Sequence, residues 1–344
     1  MSTDVPGIAV PTVTAWLEEH VPGAAGPFRF DVIAGGHSNL TYRVTGANGD
    51  RYVVRRPPLG HRLASAHDMG REHKIISGLQ RSAVPVAPAL GFCDDEAVND
   101  APFYVMGFVD GHVLRDRAST EAILDLAGRR RASESIVDTM AAIHAVDLEA
   151  VGLADLGKHE GYIARQLKRW YGQWNAQKTR ELPAVDEVHD ELSRRIPEQG
   201  PATIVHGDYR LDNCIVGPDG PVRAVLDWEI CTLGDPLADA GLLYVYWGMA
   251  NEGGEAALPS APTMVEGFMT RDQALARYGE MSGRDLGEID FYIAFSYWKV
   301  ACIVEGVYAR YLHGAMGQRD PESLQGFVAQ VNGAAASAAE YATR

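Results

Sequence analysis

The sequence predicts an α+β chain of two lobes, a small antiparallel β-sheet with one helix followed by a larger, mainly helical part. Two observations carry this. The first hundred residues are rich in β-branched and aromatic residues at strand-like alternation. From about residue 108 the apolar spacing becomes helical. The boundary is placed at Gly107, giving lobes 1–107 and 108–344.

In chain order, "FRFDVIA" (28–34), "LTYRVT" (40–45) and "RYVVR" (51–55) read as strands. Asn48-Gly49, between the last two, is a two-residue hairpin signal because both residues tolerate the positive φ of a tight turn. "PPLG" ends the third strand. "SAHDMGREHKIISGLQ" then reads as a helix, with Ser65 and Asp68 as an S-x-x-D cap and Ile75 and Leu79 one turn apart. "VAPALGF" and "FYVMGFV" read as two further strands joined by the acidic loop "CDDEAVND". Helical spacing covers 119–131, 133–146 and 160–176, and returns at 237–249 and 288–313. Between these stand the short strands "TIVH", "CIV" and "VRAVL", the last two joined by the turn "GPDGP". Residues 251–262 have the composition of a linker.

With 344 residues, 46% hydrophobic and 22% charged, the composition is that of a globular protein. No apolar run approaches the roughly 18 residues that span a bilayer, and no basic-then-apolar leader opens the sequence. The expectation is a cytoplasmic protein without a membrane partner. A net charge of −15 argues against a general nucleic-acid binder, which needs a basic face, and is compatible with a cationic substrate. Cys93, Cys214, Cys231 and Cys302 form no C-x-x-C pair and read as reduced, buried small hydrophobes. Nothing in the sequence specifies an oligomeric state.

The chemistry concentrates in "TIVHGDYRLDNCIVGPDGPVRAVLDWEI" (203–230), where Asp208, Asn213 and Asp227 adjoin apolar strands. Two carboxylates and a carboxamide at one strand edge offer oxygen ligands to Mg²⁺, which takes one or two carboxylates and completes its shell with phosphate and water. Metal needs only two of the three, leaving Asp208 to accept a hydrogen bond from a substrate hydroxyl. The plain alternative makes Asp208 and Asp212 turn residues and Asp227 a cap.

H-x-D-x-x-x-x-N, followed after a turn by an apolar strand ending in Asp, resembles the catalytic and metal-binding segments of the protein-kinase-like superfamily. "HGDYRLDN" with "LDWE" and the downstream "GDPLADAG" is similar to the aminoglycoside phosphotransferase-like family, with Trp228-Glu229 where protein kinases carry Phe-Gly. The resemblance implies a bilobal kinase-like fold, with ATP (or GTP) and Mg²⁺ as cofactors and a small-molecule hydroxyl as acceptor. It implies that Asp208 is the catalytic base, that Asn213 and Asp227 ligate Mg²⁺, and that Arg210 stands near the transferred phosphate. His206 and Asp239 would be structural, the former tying the loop toward Asp227.

Gly36-His37-Ser38 resembles the short phosphate loop of the aminoglycoside kinases, with Ser38 as phosphate donor, although a plain hairpin uses such a turn equally well. The kinase Lys is absent. "YVVRRPP" offers Arg55 and Arg56 on opposite strand faces; register against the family's apolar-apolar-basic pattern implies Arg55 as anchor, paired with Glu72, while Arg56 suits a solvated strand end. "FYVMGFVDG" resembles the hinge, where Met106 would line the adenine pocket and backbone groups of Gly107 and Val109 would bond the adenine edge. "FYIAFSYWKVACIVEGVYARYLHG" (291–314) resembles the long helix of kinase-like domains fused to, or encoded with, acyl-CoA dehydrogenases. That implies a hydroxyacyl thioester or related acceptor, with Tyr297, Lys299, Glu305 and Arg310 as candidates for its wall, or else as a plain polar stripe. An aminoglycoside-type kinase and a nucleotide-binding pseudokinase remain the alternatives. A hydrolase is set aside because no nucleophile elbow is present.

Overall fold

The computed structural model describes residues 5–33, 39–59, 68–248, 261–314 and 319–344. The chain divides into two units. One comprises Met1–Asp110, Glu149–Leu153 and Arg223–Glu229, and the other Gly111–Leu148, Ala154–Val222 and Ile230–Arg344.

The first unit contains α1 (Val10–His20), β1 (Arg29–Val32), β2 (Leu40–Thr45), β3 (Arg51–Arg56), α2 (Met69–Leu79), β4 (Ala89–Cys93) and β5 (Phe103–Gly107). The strands form one antiparallel sheet in the order β1-β2-β3-β5-β4. Alternation sorts its faces. Tyr42, Val44, Tyr52, Val54, Phe103 and Val105 point to one face and bury against Val13, Trp16 and Leu17 of α1. Arg55 and Tyr104, cross-strand partners in register, lie on the other face, where α2 runs along β4 and β5. The expectation of a single helix is therefore corrected: α1 covers the second sheet face, which would otherwise expose an apolar surface. The β2–β3 loop is also longer than a two-residue turn. Thr45 pairs with Arg51, leaving 46–50 as the loop, in which the Asn48 side chain accepts from the Asp50 amide. Helix α2 starts at Asp68, whose carboxylate caps the Arg71 amide, so Asp68 is the N-cap itself. Ser65 lies outside the described residues.

The second unit is built from α3 (Arg117–Ile123), α4 (Leu126–His144), α5 (Tyr162–Gln177), α6 (Pro183–Arg194), β6 (Thr203–Val205), β7 (Cys214–Val216), β9 (Thr232–Gly234), α7 (Leu237–Tyr246), α8 (Arg271–Ser282), α9 (Ile289–Leu312) and α10 (Pro321–Ala342). β8 (Val222–Val225) follows β7 after a turn in which the Gly217 amide donates to the Pro221 carbonyl. The break between α3 and α4 falls at Leu124-Asp125 and not near 132, because Asp125 caps the Gly128 amide and opens a new helix. β6 and β9 pair antiparallel, Ile204 opposite Leu233. Helix α9 is the axis of the core. From Phe291 to Cys302 every side chain is buried, against α5, α6, α7 and α10. A helix apolar on all sides is a buried helix. All four cysteines are free and buried. Among the described residues no helix is long and apolar enough to cross a membrane.

Candidate active site

Two clusters hold the residues singled out in the sequence, one in each unit. In the second unit, β6 delivers the chain into a buried turn, His206-Gly207-Asp208, with Gly207 at φ +84°. A short 3₁₀ turn, Leu211–Asn213, then leads into β7. That single turn folds Asn213 back onto Asp208. Its Nδ2 donates to the Asp208 carbonyl at 2.8 Å and to Oδ2 at 2.9 Å. The Arg210 guanidinium lies 3.3 Å from Asp208 Oδ1 and 2.9 Å from Asp212, and stacks over the Tyr246 ring. Burial opposes the charge on Arg210, yet Asp208 and Asp212 hold its pKa above the ordinary value. Arg210 thus orients Asp208 in this arrangement.

The loop is braced from below. Asp239, on the first turn of α7, is 1% exposed and accepts the His206 amide at 2.7 Å and the Gly207 amide at 2.9 Å. His144 Nε2, from α4, lies 3.3 Å from the same carboxylate, and its Nδ1 meets the Tyr278 hydroxyl of α8 at 2.8 Å. Burial alone would raise the Asp239 pKa, but His144, His206 and the Gly207 amide together hold it below the usual carboxylate value. The Tyr209 hydroxyl anchors the same loop to the Ile136 carbonyl. His206 itself is fully buried, its Nδ1 accepting from the Asp208 amide at 3.3 Å.

In the first unit, strand register places Arg55 beside Thr41 and Tyr104, under α2. Its Nε lies 2.9 Å from Glu72 Oε2, and one Nη lies 2.8 Å from Asp227 Oδ1 and 3.6 Å from Glu229. Burial disfavours the Arg55 cation, and these carboxylates more than offset that, so its pKa stands above the ordinary value. Glu72 is 2% exposed and also accepts from the Tyr104 hydroxyl and from Asn39, which reaches Glu229 as well. Asp227 adopts φ +62°, a left-handed conformation that Asp tolerates better than most residues, and its side chain is one-third exposed. Sequence reasoning missed Glu229, Asn39 and Tyr104. For Glu229 the signal was its place two residues after Asp227; the other two show none outside the folded sheet.

The remaining expectations fare differently. Ser38 lies outside the described residues. Arg56 is not a solvated strand end; it is fully buried, bonded to the Gly7 carbonyl and 2.7 Å from Asp100, because its strand face is the one that α1 covers. The Gly107 amide donates to the Pro88 carbonyl, which removes that donor from a hinge role. Met106 is half-buried between Val53 and Ala89 in the sheet, and Val109 is half-buried just past β5. Three of the wall candidates on α9, Tyr297, Lys299 and Glu305, belong to the core, and Arg310 is exposed. Glu305 is buried against Thr179 and Arg180, and the Lys299 ammonium donates to the Gly207 carbonyl.

A cavity of about 120 Å³ adjoins the His206–Asn213 loop, walled by Arg115, Arg210, Asp212, Leu243, Tyr246 and Trp247. Among the described residues its charged lining is Arg115, Arg210 and Asp212.

Residues 29–284 match the model of the phosphotransferase enzyme family. Acyl-CoA dehydrogenase family member 10 of Mus musculus is 34% identical over 317 residues, which are 87% of this chain and 28% of that protein. The chain spans well under half the length of the curated relatives it matches first. Among solved structures, a putative aminoglycoside phosphotransferase from Ralstonia eutropha JMP134 is 33% identical, with a TM-score of 0.82 over 97% of this chain and 98% of that one. A thermostable mutant of aminoglycoside phosphotransferase APH(4)-Ia, solved in ternary complex with AMP-PNP and hygromycin B, shares the fold at 15% identity, with a TM-score of 0.59 over 96% of this chain and 98% of that one.

Proposed function

The chain belongs to the phosphotransferase enzyme family and has its kinase-like fold, and from that premise we propose that it transfers the γ-phosphate of ATP to a hydroxyl of a small molecule. The observation that carries this is the Asp208 carboxylate, pinned by Asn213 and Arg210 on a loop braced by Asp239. A carboxylate held this way accepts the acceptor's hydroxyl proton as the oxygen attacks phosphorus. In this reading residues 1–107 serve the nucleotide: Arg55, held by Glu72, and Ser38, which lies outside the described residues, would bind the phosphates, and Met106 with backbone groups of Gly107 and Val109 would bind the base. Residues 108–344 carry the catalytic loop and the acceptor site.

Each proposed Mg²⁺ ligand, taken within its own unit, has an oxygen to offer. The Asn213 amide nitrogen is taken by Asp208, which leaves its carboxamide oxygen as the ligating atom. Asp227 offers a partly exposed carboxylate with one oxygen held by Arg55. Among the described residues no cluster of three or more His, Cys, Asp or Glu could hold a metal. Mg²⁺ takes one or two protein carboxylates or carboxamides and completes its shell with nucleotide phosphates and water. The ion would neutralise charge on the transferred group.

For the acceptor we favour a hydroxyacyl thioester or related metabolite over an aminoglycoside. What supports this is the 34% identity to acyl-CoA dehydrogenase family member 10 over 87% of this chain. A pseudokinase reading has the Lys-to-Arg change in its favour and the ordered Asp208–Asn213 pair against it.

The test is direct. Mg·ATP raises the melting temperature, and omitting Mg²⁺ weakens that shift. Hydroxyacyl-CoA, amino-sugar and sugar pools are then screened for γ-phosphate loss, with Asp208→Asn as control. No shift with any nucleotide–metal pair defeats the reading. Nucleotide binding without transfer to any pool makes the chain a pseudokinase, and transfer that survives Asp208→Asn unchanged removes Asp208 from its role.

A further inference from the structure

Helix α9 carries a buried ammonium. Lys299 is 6% exposed, and its Nζ donates to the Gly207 carbonyl at 2.9 Å. The Trp170 ring centroid lies 5.7 Å from Nζ, within cation–π reach. Asp208 and Asp239 favour its charge at longer range, while burial and Arg169 oppose it; burial dominates and lowers its pKa. Among the described residues, Lys299 forms no ion pair. For stability alone this is a poor choice, since an apolar side chain would fill the same volume without desolvating a charge. The charge serves one acceptor, the carbonyl of the residue before Asp208.

That carbonyl belongs to the Gly207–Asp208 peptide. The N–H of the same peptide donates to His206 Nδ1 at 3.3 Å, and the Gly207 N–H donates to Asp239. Gly207 sits at φ +84°, and a glycine offers little resistance to rotation of the peptides around it. Turning the Gly207–Asp208 peptide would swing the Asp208 carboxylate with it. Lys299 from α9 and Asp239 from α7 therefore hold the glycine from both sides.

Resting on the phosphotransferase reading above, we propose that Lys299 is a positioning residue, which locks the Gly207–Asp208 peptide so that the Asp208 carboxylate faces the acceptor hydroxyl. It acts through the backbone and need touch neither nucleotide nor acceptor. A misplacement of about 1 Å at a reacting group costs about 100-fold in rate.

The experiment compares the full chain with Lys299→Met, which is apolar and of similar length, and Lys299→Arg, which keeps charge and donor. Four quantities are measured: the melting temperature, its shift with Mg·ATP, γ-phosphate loss with the hydroxyacyl-CoA pool, and amide hydrogen exchange over residues 204–210. Lys299→Met is expected to fold, keep the Mg·ATP shift, exchange faster over 204–210, and lose about 100-fold in transfer. The loss should fall on kcat, with KM for ATP within about threefold. Lys299→Arg should restore part of the transfer and of the exchange protection. Wild-type transfer by Lys299→Met, or an equal loss of transfer and nucleotide binding, overturns the proposal. So does a folded Lys299→Arg as inactive as Lys299→Met, or failure of both variants to fold. If the wild type shows no Mg·ATP shift, it is the phosphotransferase reading that fails. Exchange over 204–210 still judges the clamp in that case, and equal exchange in wild type and Lys299→Met refutes it.

Discussion

Asp239→Asn isolates the brace beneath the His206-Gly207-Asp208 loop with almost no change of shape. The carboxylate takes the His206 amide on one oxygen and the Gly207 amide on the other. A carboxamide keeps one of those acceptors and sets an NH₂ donor against the remaining N–H. Hydrogen bonds to a charged group contribute about 1.5–3 kcal/mol each, and a donor left facing a donor adds a desolvation cost of similar size. With the site 1% exposed, water cannot repair the loss. The expected destabilisation is about 3 kcal/mol, which for a unit of this size lowers Tm by roughly 6–12 °C. Urea denaturation followed by tryptophan fluorescence measures it.

The pH dependence supplies a second check on Asp239. Its folded pKa is depressed by His144, His206 and the Gly207 amide, so its contribution is fully present above the unfolded value of about 3.9 and is lost as pH falls through the folded value. The gap between wild type and Asp239→Asn should be flat from pH 7 to about 5 and close below about 4. A gap under about 0.5 kcal/mol at neutral pH, within the range of ordinary surface substitutions, would refute the brace. A gap that widens on acidification would refute the ionised carboxylate.

Arg55→Met should cost about 3–5 kcal/mol, because it strands the buried Glu72 carboxylate. Adding Glu72→Gln to that variant should recover at least about half of the loss, and denaturation midpoints of the single and double variants that simply add would contradict this. Gly207→Ala places a Cβ at φ +84° and 3.1 Å from the Ile230 side chain. It should cost about 1–2 kcal/mol from the left-handed backbone alone and depress γ-phosphate transfer more than Mg·ATP binding. Equal losses in both measurements would argue that the loop merely supports the fold.

What was legible in the sequence was local. Asp208 and Asn213 are five residues apart, so one 3₁₀ turn between two strands suffices to join them, and the spacing of residue types reported it. Arg55 was legible for a similar reason: strand alternation separates it from Arg56 whatever covers the sheet. What covers each face was not. Arg56 looked solvated because nothing near it in sequence announces Gly7 or Asp100, which reach it from 44 residues or more away. The ambiguity over α9 has the same origin. A helix rich in aromatic and polar residues reads equally as the wall of a site or as a core axis, since periodicity gives direction around the helix but no depth. Burial of Phe291 through Cys302 decides for the core, and it also changes what Lys299 means. On a wall, a lysine would meet a substrate in water. At 6% exposure it needs an internal partner, and the partner it has, the Gly207 carbonyl, lies 92 residues away. Long-range contacts of this kind, Lys299 to Gly207 and His144 to Asp239, are what turn an eight-residue motif into a rigid loop. They are also the part that a motif alone does not contain.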